Sequence, residues 1–99
     1  MLDKTAVKLE RHGYKGARLY INREKYRAKH KSPHIHAWKG GKEVSVLIDP
    51  SPTEPRVIAG DAKCDAAKLA IEWLDLSESN KIKARTEWAM QDILNSQWR

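Results

Sequence analysis

Residues 34–48 constrain the fold more than any other stretch. They read His-Ile-His-Ala-Trp-Lys, then Gly-Gly, then Lys-Glu-Val-Ser-Val-Leu-Ile. Two alternating runs around a pair of glycines specify a β-hairpin, because both glycines tolerate the positive φ of a two-residue primed turn. Pairing outward from Gly40-Gly41 sets Trp38 opposite Glu43, His36 opposite Ser45 and His34 opposite Leu47. Side chains alternate across a strand, so Ile35, Ala37, Val44, Val46 and Ile48 share one apolar face that must be core. His34, His36 and Trp38 then lie together on the opposite face, which is expected to be open.

The flanking sequence adds to this hairpin. Ala17, Leu19 and Ile21 alternate with Arg18, Tyr20 and Asn22, which predicts a half-buried strand over 17–22 bringing Arg18 and Tyr20 to the histidine face. Residues 3–12, with Asp3 as N-cap and Gly13 as stop, read as a short helix. Three prolines in residues 49–55 mark a loop, and Arg56 to Ala59 is a candidate fourth strand closed by Gly60-Asp61. Ala66, Ala67, Leu69, Ala70, Trp73 and Leu74 recur at helical spacing within 64–76. Residues 77–80 break that helix, and 81–95 form a last one. Trp73 and Trp88 are expected in the core. The resulting class is α+β: a small antiparallel sheet of three to four strands with helices on one face, in the order α-β-β-β-(β)-α-α. At 99 residues the chain is expected to form a single domain, 1–99, with a basic loop or ribbon at 23–32.

Charge is unevenly spread. The chain has 19 Lys and Arg against 13 Asp and Glu, a net +6. Residues 1–42 carry more than the whole excess, 12 basic against 3 acidic residues, and residues 43–99 are slightly acidic, 7 basic against 10 acidic. In residues 23–32 Arg23, Lys25, Arg27, Lys29 and Lys31 occupy every second position, so an extended chain would project all five to one side. Such asymmetry suits RNA or another polyanion as partner, an acidic protein included. The bland counterpart is a solvated basic face. Cys64 is the one cysteine, which excludes an internal disulfide and a cysteine-only zinc site. No apolar run reaches the roughly 18 residues of a membrane span, and the first residues lack a signal-peptide apolar region. A cytoplasmic protein is therefore expected, with no membrane partner and no cofactor. Phosphate-binding glycine loops and nucleophile elbows do not occur.

Three chemistries compete for His34 and His36. Two strand histidines at i and i+2 can reach one metal ion, with His30 or Glu43 as a third ligand. They can instead serve as acid and base on RNA without metal, since histidine titrates near neutral pH. Arg18, Lys29, Lys31 and Lys39 would then hold phosphate, and Tyr20 and Trp38 would stack on bases. The third role is structural, as rings that finish a sheet face. Cys64, at a predicted helix start, is read as incidental.

The segments Gly16–Ile21, Pro33-His-Ile-His-Ala37, Ala66–Trp73 and Thr86-Glu-Trp88 follow one another in an order that resembles domain-of-unknown-function family 4160, a family of small bacterial proteins. Its pattern is a strand, a PPHxHA motif, a glycine hairpin, an alanine- and leucine-rich helix and a last tryptophan-bearing helix. The resemblance covers roughly residues 14–90. Ser32 replaces the first proline, and the 23–31 basic run is an insertion. The resemblance implies a component of a toxin–antitoxin system, with an antitoxin protein as partner. Val7 to Tyr14 also resembles the opening of HicA-like mRNA interferase toxins, whose α-β-β-β-α fold uses a strand histidine; His34 or His36 would take that role. The glycine-serine-histidine-histidine pattern of those toxins is absent, and Lys31-Ser32-Pro33-His34 matches it in part. The functional expectation is a small RNA-directed, toxin-type endoribonuclease that works without metal. The alternatives are a non-catalytic module for nucleic acid or an acidic protein, and a histidine-based metal-binding protein. A homodimer is left open.

Overall fold

The computed structural model describes residues 6–21 and 32–96, with side chains as far as Gln91. Seven elements follow in order: β1 (Val7–Lys8), β2 (Arg18–Ile21), β3 (His34–Lys39), β4 (Lys42–Leu47), β5 (Val57–Ala59), α1 (Asp65–Leu76) and α2 (Glu78–Ser96). The five strands form one antiparallel sheet in sequence order. The α+β class expected from the sequence is borne out, with a fifth strand and a different first element.

The hairpin has the register that its glycines predict. His34 pairs with Leu47, His36 with Ser45 and Trp38 with Glu43. Gly40 and Gly41 take φ of 61° and 79°, the left-handed conformation a primed turn needs. On the other side β2 sets Leu19 opposite Ala37 and Tyr20 opposite His36. The apolar face is a continuous buried surface of Ala17, Leu19, Ile21, Ile35, Ala37, Val44, Val46 and Ile48. Helix α1 lies on it through Ala66, Ala67, Ala70, Trp73 and Leu74. Its alanines let the helix backbone approach closely, and Trp73 fills the remaining space.

The helix expected over 3–12 is corrected by β1. Residues 3–5 lie outside the described residues, and Val7 and Lys8 pair with Ile21 and Tyr20. Leu9 N–H donates to the Leu19 carbonyl at 2.9 Å. Val7, Lys8 and Leu9 alternate in burial, so a period-2 pattern completed by a neighbouring strand outweighs local helix propensity. The chain then turns, Gly13 N–H donating to the Glu10 carbonyl at 3.2 Å. Glu10 is fastened to α1 by the Trp73 Nε1–H, 2.8 Å away.

The candidate strand after residue 55 is present as β5, with a register shift between Ser45 and Val46. The expected break at 77–80 narrows to Ser77, whose φ of −158° and ψ of 153° separate the helices. Ser77 Oγ accepts from Asn80 N–H at 3.1 Å, and Asn80 Nδ2 donates to the Trp73 carbonyl at 2.8 Å. Residues predicted to interrupt the helix instead cap the next one. Trp73 and Trp88 are both buried, as expected. Helix α2 packs on α1 and reaches β2 and β3. Among the described residues no helix is long and apolar enough to cross a membrane.

Candidate functional site

The sheet face away from α1 carries the site in rows set by the strand register. Arg18, Trp38 and Glu43 form the row nearest the hairpin turn. Lys8, Tyr20, His36 and Ser45 form the next. His34 and Leu47 form the third. Apart from Lys8 on the edge strand, which is exposed, exposure falls along this series. Arg18 and Glu43 are exposed and Trp38 is half-buried, while Tyr20, His36, Ser45, His34 and Leu47 are buried.

This corrects the open face expected for the histidines. His34 is 1% exposed and His36 is 7% exposed. The His34 ring meets the indole of Trp88, on α2, with centroids 4.6 Å apart. The sequence reading kept the helices to the apolar face, so it left the His34 end of this face uncovered. Trp88 closes that end because its indole is large enough to seat on the histidine ring.

The buried rings form one connected set. His34 and His36 stand edge to face at 5.1 Å, and Tyr20 stacks on His36 at 5.5 Å and 18°. His34 Nδ1–H donates to the Ser32 carbonyl at 2.9 Å. A carbonyl can only accept, so the neutral ring carries its proton on Nδ1 and Nε2 is its basic nitrogen. His36 Nδ1 is 3.3 Å from Ser45 Oγ and 3.8 Å from Glu43 Oε1. The Tyr20 hydroxyl donates to the other Glu43 oxygen. Burial, reinforced by the hydrogen bond and the negative charge of Glu43, holds the Tyr20 phenol protonated well above its ordinary range. Glu43 thus ties the exposed row to the buried histidines.

At the exposed end the Arg18 guanidinium lies over the Trp38 ring, 5.3 Å from its centroid. That pair offers a cation and a flat apolar surface side by side. Lys39 does not join it. Alternation puts Lys39 on the α1 side of the sheet, where Nζ donates to the Lys15 carbonyl at 3.3 Å. Arg23, Lys25, Arg27, Lys29, Lys31 and the candidate ligand His30 lie outside the described residues. Among the described residues no three His, Cys, Asp or Glu side chains are grouped to hold a metal ion. Cys64 stands at the N-cap position of α1 without a side-chain cap bond.

Sequence reasoning missed the links through Glu43 and Ser45, although the hairpin register already put both opposite site residues. It missed Lys8 because that residue was assigned to a helix. Nothing in the sequence pointed to Trp88 as the neighbour of His34.

The family profile "Domain of unknown function (DUF4160)" matches residues 16–88. The chain belongs to the DUF4160 family. The matched stretch runs from just before β2 to Trp88, so the DUF4160 region contains all three rows of the site except Lys8, and the ring that covers His34 as well. No curated protein and no solved structure matches the chain.

Proposed function

We propose that this chain is a small cytoplasmic RNA-directed protein of toxin–antitoxin type, acting as an endoribonuclease without metal. The observation that carries this reading is the coupled pair His34–His36, with Glu43 linking it to the exposed Arg18–Trp38 surface. Single-stranded RNA would lay a base against Trp38 and a phosphate against Arg18. His34, protonated on Nδ1, would use its basic Nε2 to take the proton of a 2′-hydroxyl. The 2′-oxygen then bonds to the adjacent phosphorus, the bond from phosphorus to the 5′-oxygen breaks, and that oxygen receives a proton from His36. Arg18 would balance charge on the phosphate. By family resemblance, an antitoxin protein would keep such an activity in check.

The test is incubation of the purified protein with total RNA, with and without EDTA, beside the His34→Ala/His36→Ala variant. General acid–base groups contribute about 10²–10⁴-fold, so the double variant should lose cleavage by that order while EDTA has no effect. Cleavage at the parental rate by the double variant overturns the assignment. Cleavage abolished by EDTA points to a metal instead.

The burial of both histidines favours a second reading, a binding module that does no chemistry. Its signature is salt-sensitive binding of intact RNA, weakened by Arg18→Ala and indifferent to the histidines.

A further inference from the structure

The two helices are attached very differently. Helix α1 sets five buried side chains against the sheet. Among the side chains of α2 described, only Ala84, Trp88 and Gln91 are buried, a single stripe at i, i+4 and i+7. Ile82 and Met90 are exposed on the same helix. What this stripe covers is also unusual. Trp88 rests on the titratable ring of His34, and Gln91 is a buried polar residue one turn further on. Hydrocarbon would fill a purely structural seam at lower cost, because buried polar groups must be matched with partners.

Two further features define how α2 is held. Its link to α1 is the one extended residue Ser77, a joint with no helical continuity. One polar tie from α2 to the end of the sheet is Arg85, which donates from Nε and from a terminal nitrogen to the two Asp49 oxygens, each at 2.7 Å. Asp49 lies two residues beyond the end of β4, and both partners are half-exposed. The pair is bidentate and Arg85 also reaches Glu78, so it holds better than a single surface contact, yet both partners stay open to water that can replace it.

We propose that α2 is a lid over the His34 end of the histidine pair, hinged at Ser77, latched by Arg85–Asp49 and sealed by Trp88 on His34. The proposal rests on reading the histidines as the reacting groups. It explains why groups with acid–base chemistry are shielded here: the closed arrangement holds them away from substrate, and release of α2 uncovers His34 by withdrawing only Ala84 and Trp88 from the core, leaving the α1 side chains on the sheet. Elements that gate a site are drawn from the less stable parts of a fold.

The test reads histidine access directly and needs no RNA. Diethyl pyrocarbonate modifies accessible imidazole nitrogens, and peptide mapping separates His34 from His12, which is exposed. In the parent protein His34 should react far more slowly than His12. Asp49→Ala should speed His34 by up to about fivefold, the change that loss of an exposed pair can give, with His12 unchanged. Trp88→Ala should speed it further. Hydrogen exchange keeps the result interpretable: amides of α2 should exchange faster in both variants while those of β3 and β4 keep their protection. An unchanged His34 rate in both variants overturns the lid. So does a rise accompanied by equal loss of protection in β3. Assaying the same variants on RNA separates the two proposals. Cleavage that rises with His34 access supports both, while access that rises without cleavage leaves the lid standing and removes the ribonuclease.

Discussion

Tyr20 shows how one residue's surroundings set its chemistry. It sits between Lys8 and His36 in the sheet, buried, with its hydroxyl on Glu43. Its phenol is held protonated, first by burial and then by Glu43. The neutral form is therefore favoured in the folded protein. That stabilisation is complete below the ordinary tyrosine value of 10.0 and is lost as pH rises above it towards the folded value. We expect alkaline titration, followed by phenolate absorbance, to show one tyrosine that ionises only as the protein unfolds. Glu43→Gln should bring that titration down, since it removes the carboxylate charge. A phenolate curve identical in parent and variant would show that Glu43 exerts no hold on the phenol. Gly60 makes a parallel point about backbone. At φ of +87° a Cβ there would lie 2.5 Å from the Glu43 carbonyl oxygen, so the chain can turn closely past β4 only with glycine.

Among the elements, two arginines make three carboxylate pairs at the joint between the helices and the end of the sheet. Arg56 reaches Asp75 at 2.8 Å, linking the segment before β5 to the end of α1. Arg85 reaches Asp49 at 2.7 Å and Glu78 at 3.0 Å, linking α2 to the end of β4 and to its own first turn. The hydrogen bond from its arginine is the main reason that each aspartate is held below the usual carboxylate value. Depressed values of this kind stabilise the fold above the unfolded carboxylate value of 3.8, and the contribution disappears as pH falls through the folded values. Because the pairs are substantially solvated, the effect is modest. Urea unfolding across the acid range should show the parent losing stability more steeply than Asp49→Asn/Asp75→Asn. Parallel curves would mean that the pairs do not couple to folding. The same elements show what was legible. The hairpin, β2, β5 and α1 could be read because their alternation or helical spacing is local. β1 could not, because its two residues are strand only while Ile21 and Tyr20 lie beside them.

Over the whole molecule, the sheet works with two unlike faces. One is hydrocarbon packed on α1, and its tightness comes from Ala66, Ala67 and Ala70. Ala70→Leu would insert three carbons where none fits and should cost about 1–3 kcal/mol in urea unfolding, with little change in the denaturant slope. A neutral or stabilising result would mean that α1 is loosely seated. The other face grades from exposed Arg18 and Glu43 beside Trp38 to buried rings, and this gradient is a property of the assembled chain. The sequence by itself determined that His34, His36, Tyr20, Trp38 and Arg18 would share a face, because alternation and a two-residue glycine turn leave one register that buries the apolar set. Only the tertiary structure decided that the histidine end of that face is closed and its Arg18 end open. Strand periodicity reports which side a residue takes, whereas burial depends on what packs there from far along the chain, and here that is Trp88, more than fifty residues after His34.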